Sequence, residues 1–508
     1  MGLEHFDVLI MGAGLSGIDA AYHLQRFCPN KSYVIVEQRE RIGGTWDLFR
    51  YPGVRSDSDM FTMGFSFRPW TDPKAIAPGE DIRNYITATA RDEGIDRHIR
   101  FRHRVERASW SSREAMWTVQ VARQAHGGRE ELATLTCNFL FSCAGYFRYE
   151  AGYLPEFPDI GCFKGRVVHP QAWPEDLDYS GKRVIIIGSG ATAVTLIPAL
   201  AKKAEHVFML QRSPTYIVSM PEQDAIANRL RSLLPVAWAY KLSRWKNVTY
   251  MIYVYQLAMR YPNFVKTGII KKIRSELGPT YDVATHFTPR YNPWEQRLCL
   301  VPDGDLFQAI KAGRASVVTS QIERFTEKGI RLHSGAELDA DIVVTATGLV
   351  LQAFGGASLE VDGRRVDLGK ALAYKGVMLS GVPNLAAVFG YINASWTLKA
   401  DLICRYVCRL LNLMDRKGVR QVTPQNGDET AVAPFLEKFS SGYVQRAVAG
   451  WPKQGSKAPW RVYQNYILDV LSLKWGPVEN RALEFSKPAK NSSRPAFEPA
   501  HQQTTNRS

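Results

Sequence analysis

An α/β fold of two parallel-sheet units, with a helical insertion in the second, is what the sequence predicts, and three observations predict it. FDVLIMGAGLSG places an apolar strand directly before Gly12, Gly14 and Gly17. RVIIIGSGATA repeats that arrangement with Gly188, Gly190 and Ala193. Gln223 to Leu277 then interrupts the strand pattern with long helical periodicity. Each unit reads as a Rossmann-like dinucleotide-binding domain, because strand, tight turn and helix set unpaired amides and a helix's positive end against a pyrophosphate.

In the first unit, Phe6 to Met11 is a buried parallel strand. Gly12 permits the turn, Gly14 lets phosphate reach the backbone, and Gly17 lets the helix IDAAYHLQRF pack on the strand. YVIVE then ends in Glu37, about 20 residues beyond the last glycine, where a carboxylate can accept hydrogen bonds from a ribose hydroxyl pair. GGTWDLFRYPGVRSDSDM, Gly43 to Met60, is too rich in glycine, arginine and aspartate for a core element. It reads as a loop bringing Gly44, Thr45, Trp46 and Asp57 to the first nucleotide, although Arg55 and Asp57 also read as a surface ion pair. Asp81 to Asp96 is a predicted helix, Phe101 to Leu140 a set of antiparallel strands around HGGREE, and FLFSCAG a further strand. Prolines and lost periodicity put a boundary near Tyr146 to Cys162.

In the second unit, HVFMLQR is the next strand, and Gln211-Arg212 stands where Glu37 stood. An acid there repels a 2′-phosphate, whereas Arg212 and the Ser213 hydroxyl can bind one, so the predicted second nucleotide is NADPH rather than NADH. The inserted helices carry Trp238, Trp245, Tyr250 and Tyr253 among lysines and arginines. They read as a subdomain packed over the nucleotide domain, with a substrate tunnel, a dimer face or a membrane-facing patch as the sharper alternatives. Thr347-Gly348 marks the return to the first domain, and a strand passing through Gly390 and Asn393 leads into a long amphipathic helix whose first amides can face a bound ring. A covering loop follows near Ser441 to Tyr466, and the segment from Lys487 has a disordered composition. The expected domains are 1–150 with 351–487, 151–214 with 291–350, the insertion 215–290, and the tail 488–508.

Composition narrows the class. The chain has 508 residues, 64 Lys and Arg against 49 Asp and Glu, and seven scattered cysteines without a CxxC pair. Such cysteine usage fits a reducing, cytoplasmic setting and argues against a dithiol reductase or a zinc site; no metal is expected. The net charge of +15 suits phosphorylated cofactors or an anionic surface. Neither a basic tail nor an aromatic RNA-binding submotif is present, so no nucleic-acid partner is predicted, and no apolar run is long enough to span a bilayer.

FKGRVVHPQAWP, between the two glycine turns, resembles the FxGxxxHxxxWP signature of Baeyer-Villiger monooxygenases, with Phe163, Gly165, His169, Trp173 and Pro174 in register. GGTWDLFRYPGVRSDSDM and IIGSGATAVTLIPALA are similar to the mycobacterial ethionamide-activating subgroup of that family. The resemblance implies FAD in the first site, NADPH in the second, a catalytic arginine at Arg297 and a supporting acid at Asp57. It makes the five signature residues a linker coupling nucleotide binding to domain motion. His169, with an ordinary pKa near 6.5, is otherwise a conceivable general base. Gln296 stands where many family members carry lysine.

The implied activity is conversion of ketones to esters or lactones through a C4a-peroxyflavin, with sulfide oxidation from the same species. The alternatives are an S- or N-oxygenating flavin monooxygenase without ketone activity, and a non-oxygenating NADPH-sensing flavoprotein. The expected partners are a small ketone or sulfide and dioxygen, with peripheral membrane contact or a homo-oligomer left open.

Overall fold

The last four residues of each strand preceding a glycine turn are buried, which is why each reads there as an uninterrupted apolar run. In Glu4–Met11, Val8 and Ile10 enter one core while Leu9 and Met11 enter another across the sheet. In Arg183–Ile187, Val184 and Ile186 face one core, Ile185 and Ile187 a second. The computed structural model describes residues 3–124, 129–296, 298–427, 432–435 and 441–487. The expected tail 488–508, part of the HGGREE turn and Arg297 lie outside the described residues.

Glu4–Met11 lies in a nine-stranded sheet between Tyr33–Val36 and Glu130–Ser142, parallel to both. Leu385–Ala387 returns much later to pair in parallel with Glu130–Ser142. The second sheet has five strands, in the order Ala315–Thr319, His206–Gln211, Arg183–Ile187, Ile342–Thr345, Arg166–Val168, all parallel. The fold is therefore α/β with two Rossmann-like nucleotide-binding sheets, and the chain leaves the first sheet, builds the second and comes back.

Two expected elements differ from the observed ones. The helix expected over Asp81 to Asp96 runs Gly79–Asp92 and is followed by a short 3₁₀ turn, Ile95–His98. FLFSCAG is not a separate strand but the end of Glu130–Ser142. The first half of that strand pairs antiparallel with Met116–Gln124 and is partly exposed; the second half is buried beside Glu4–Met11. One strand thus carries two hydropathy patterns, which is why it reads as two.

The insertion consists of Ala225–Leu233, Val236–Arg260, Pro262–Leu277 and Val283–Phe287, with breaks at Pro235 and Pro262 that follow from proline's missing N–H. It grips the first domain as well as the second. The buried Arg244 donates from Nη1 to the carbonyls of Phe61 (2.9 Å), Thr62 (3.2 Å) and Gly64 (2.8 Å), satisfying the end of the helix Met60–Met63. Tyr240 donates to the Phe65 carbonyl at 2.9 Å.

The long helix Trp396–Lys417 packs on Leu15–Phe27 and carries a buried ion pair at its base. Lys399 Nζ lies 2.6 Å from Asp469 Oδ2, and Tyr391 donates its hydroxyl to the same oxygen at 2.5 Å. Burial pushes the Asp469 carboxyl pKa up, while Lys399 holds part of the rise back. Asp469→Ala strands a buried ammonium and a buried phenol, and is expected to cost about 3–5 kcal/mol in urea denaturation. The double exchange Lys399→Met, Asp469→Leu recovers most of that loss, because an apolar pair leaves no charge stranded.

Candidate active site

The two glycine turns are built alike to the level of single hydrogen bonds. Gly12 N–H donates to the Val36 carbonyl at 2.8 Å, and Gly188 N–H to the Leu210 carbonyl at 2.8 Å. A methyl on Gly12 (φ +99°) would lie 2.8 Å from the Cys143 oxygen, and one on Gly188 (φ +138°) 2.4 Å from the Ala346 oxygen. In each unit the first glycine abuts the end of the neighbouring parallel strand. The third positions differ: Gly17 has no room, with a Cβ 1.9 Å from the Gly12 oxygen, while Ala193 is accommodated fully buried.

A cleft opens over the first turn. It is lined by Gly12, Gly14, Glu37, Gly44, Thr45, Trp46 and Asp57, all expected at the first nucleotide, and also by Tyr146, Tyr391 and Trp396. Glu37 is buried and accepts from the N–H groups of Ala13 (2.7 Å) and Arg39 (2.8 Å). Burial pushes its carboxyl pKa up, and those two bonds oppose the shift. Each oxygen keeps a lone pair for a ribose hydroxyl. The Gly43-Gly44 turn docks directly on the fingerprint: Gly43 N–H donates to the Ala13 carbonyl at 3.1 Å, and a Cβ on Gly44 would sit 3.0 Å from Gly14 Cα. The fit for a dinucleotide is therefore backbone-deep, with peptide groups rather than side chains forming the floor.

Asp57 is exposed and lines this cleft beside Ser58. The surface pairing of Arg55 with Asp57 is corrected: Arg55 makes a two-pronged contact with Asp305, at 2.5 and 3.3 Å, across the two domains. Asn393 donates to the Gln464 carbonyl at 2.9 Å and lines a small adjoining cavity with Tyr255 and Tyr466. Its neighbour Ala394 lines both that cavity and the main cleft.

Several residues of the site carried no readable signal. Trp396 Nε1 donates to Ser16 Oγ at 2.8 Å, tying the first turn of the first helix to a helix beginning some 380 residues later. The Trp396 ring stacks on Tyr146, 5.0 Å between centroids and 15° from parallel, and lies so close to Gly390 that a Cβ there would fall 2.4 Å from it. Asp47, also buried, accepts from Arg39 at 2.7 Å and Arg50 at 2.6 Å, which accounts for the arginine and aspartate of that loop.

The second turn presents different chemistry. Register places Gln211 opposite the role of Glu37, and its amide is turned inward, donating to the His286 carbonyl (2.8 Å) and Thr319 Oγ1 (2.9 Å). Arg212 and Ser213 follow, both exposed at the strand end. A Cβ on Gly190 would meet nothing within 4 Å, so this glycine keeps open a space that a phosphate can enter.

The linker signature runs along the edge of the second sheet, with Arg166–Val168 as its outermost strand. Phe163 packs on Phe325, and Gly165 approaches the Asp341 carbonyl too closely for a side chain, its Cβ falling at 2.3 Å. Both anchor to the second sheet. Trp173 packs on the core under that sheet, and Pro174 caps the turn that follows. His169 Nδ1 accepts from Gln171 N–H at 3.2 Å, and burial pushes the ring's pKa down, a shift that a hydrogen bond to the Gly348 backbone opposes. Gln171 in turn donates to the Arg148 and Tyr149 carbonyls, each at 2.9 Å, holding the segment that leaves the first sheet. The outgoing and returning strands are bonded to one another through Tyr153–Gly348 and Arg148–Val350. Asp19, His23 and Cys404 also meet in the core, but His23 is committed there to ion pairs with Asp19 (3.2 Å) and Asp401 (3.5 Å).

Comparison with known proteins agrees with this architecture. The chain is 55% identical over 486 residues to the FAD-containing monooxygenase EthA of Mycobacterium tuberculosis, covering 95% of this chain and 98% of that protein. In fold it is similar to an oxidized steroid monooxygenase bound to NADP (TM-score 0.72, 22% identity, 95% of this chain and 100% of that one). It is likewise similar to an ε-caprolactone-bound cyclohexanone monooxygenase (TM-score 0.71, 20% identity, 95% and 100%). The profile of the flavin-binding monooxygenase-like family matches residues 6–427, and the chain belongs to that family.

Proposed function

We propose that this flavoprotein monooxygenase binds FAD over Gly12–Gly17 and NADPH over Gly188–Ala193, and transfers one oxygen atom to a soft heteroatom, sulfur foremost, of an apolar small molecule. The observation that supports it most is the paired construction of the two turns, an acid at the first and Arg212-Ser213 at the second. When bound, the two cofactors supply hydride and activated dioxygen; the protein supplies position and electrostatics. The balance is sulfide, dioxygen, NADPH and a proton giving sulfoxide, water and NADP⁺.

Glu37 would hold the adenosine ribose of FAD and the fingerprint amides its pyrophosphate, while the stacked Tyr146 and Trp396 would give the cleft an aromatic wall. Sulfur is itself the nucleophile, so no oxyanion forms on the substrate, and the proton in the balance goes to the oxygen that leaves as water. A second reading is ketone-to-ester conversion. The signature Phe163 to Pro174 supports it, and it requires Arg297 as the cation beside the carbonyl, with Asp57 orienting it. The heteroatom reading is preferred because it asks for no cation beside a carbonyl, and the lactone-bound structure, at 20% identity, bears on the fold alone.

Arg212→Ala is expected to raise the KM for NADPH by roughly ten- to a hundredfold while leaving NADH little changed, because only the former loses a phosphate contact. Steady-state assays with both nucleotides check this, and equal effects would remove the phosphate assignment. For the reaction itself, holoenzyme and NADPH are offered a mixed panel of sulfides and ketones and the products identified by mass spectrometry. Sulfoxide as the dominant product supports the first reading; ester without sulfoxide overturns it.

A further inference from the structure

Outside the cleft, the largest unexplained feature is the outer face of the insertion. On the helix Val236–Arg260, Trp238, Leu242, Trp245 and Tyr253 recur at helical spacing and are 62, 47, 53 and 62% exposed. Phe264, at the start of the following helix, is 71% exposed. The surface continues onto a second element: Trp245 meets Tyr466, with centroids 5.9 Å apart, and beyond it Ile467, Leu471 and Trp475 are 50, 50 and 67% exposed. Two of these tryptophans carry a lysine over the ring, Lys241 over Trp238 at 5.4 Å and Lys474 over Trp475 at 5.8 Å.

Charge decides what such a face fits. From Ala225 to Leu277 the sequence has ten Lys and Arg and one acid, Glu276; Arg244 is buried and Lys246 is paired with Asp224, and the others still leave an excess of cations. A second copy of the chain would bring the same cations against themselves, an unfavourable approach in the absence of facing acids. Exposed tryptophan and tyrosine with lysines beside them instead suit the boundary of an anionic bilayer, where rings sit at headgroup level and cations meet phosphates. Among the described residues no helix is long and apolar enough to cross a membrane, so the contact would lie along the surface.

We infer that the helical insertion and the Tyr466–Trp475 segment together form a docking face for an anionic phospholipid bilayer. The face adjoins the way to the cleft: Val248, Met251 and Tyr255 of the same helix line a small cavity that shares Ala394 with the flavin cleft. A substrate dissolved in the bilayer therefore has a short apolar path inward; this last step rests on the proposed function, whereas docking does not.

The test is cosedimentation of full-length holoprotein with vesicles of phosphatidylcholine alone or with about 30% phosphatidylglycerol, alongside size-exclusion light scattering. Wild type is expected to bind the anionic vesicles at least about tenfold better. The variant Trp238→Ser, Trp245→Ser, Tyr253→Ser loses roughly tenfold of that binding, with flavin content and melting temperature unchanged. Protein that stays in the supernatant with both vesicles overturns the inference. So does a variant that binds as well as wild type, or a dimer that the substitutions disperse without any vesicle binding. Sulfoxidation that proceeds equally with and without vesicles, in a protein that binds them, removes only the substrate path.

Discussion

Gly17→Ala protein purifies colourless, with flavin content below about a tenth of wild type. The added methyl would lie 1.9 Å from the Gly12 oxygen and 3.0 Å from its carbonyl carbon, and both atoms are backbone of the turn that must meet the pyrophosphate. No side chain can yield there, so the helix Leu15–Phe27 moves away from the strand and the fingerprint opens. The second unit supplies the control. Ala193 fills the matching place fully buried, and Gly190→Ala, whose Cβ meets nothing, leaves the protein folded and yellow while weakening NADPH. Flavin absorbance per protein, with circular dichroism to establish folding, checks both; a yellow Gly17→Ala protein would contradict the assignment of the first turn.

Arg297→Ala separates the two oxygenation readings. A ketone attacked at its carbonyl becomes an oxyanion, and removing one preorganised donor to such a charge typically costs about a hundred- to a thousandfold in kcat. A sulfide has no carbonyl and develops no such charge on the substrate. The expected outcome is folded, yellow protein that has lost ester formation by that factor and retains sulfoxidation within about threefold. Equal loss on both substrates would show that Arg297 serves binding or folding instead, and unchanged ester formation would remove it from the chemistry.

What could be read beforehand was whatever repeats locally. Residues 8–11 and 184–187 announce themselves because a stretch buried on both faces is apolar throughout, and the glycines because the turn tolerates little else. The exchange of Glu37 for Gln211-Arg212 was readable for the same reason, being fixed in distance from each turn. The aromatic lining of the cleft was not. Trp396 reaches Ser16 across most of the chain, and nothing local to either residue names the other.

Charge pairing misled in the same way. Arg55 looks two residues along to Asp57 but bonds 250 residues away to Asp305, because the loop also packs, at Gly53, against Thr195 and Ala199 of the second unit. Gln171 occupies an unspecified place within the linker signature, yet its two carbonyl contacts are what hold the segment leaving the first sheet. Lys399, Asp469 and Tyr391 belong to three segments joined only when the long helix docks.

The account rests on two nucleotides cooperating to split dioxygen between product and water. The most direct measurement follows NADPH consumption by the wild-type holoenzyme under ¹⁸O₂ with an aryl alkyl sulfide, quantifying label in the product and hydrogen peroxide together. The account predicts about one labelled oxygen atom in the sulfoxide for each NADPH oxidised, with little peroxide. NADPH oxidation that ends wholly in peroxide, or a sulfoxide whose oxygen comes from water, would contradict it.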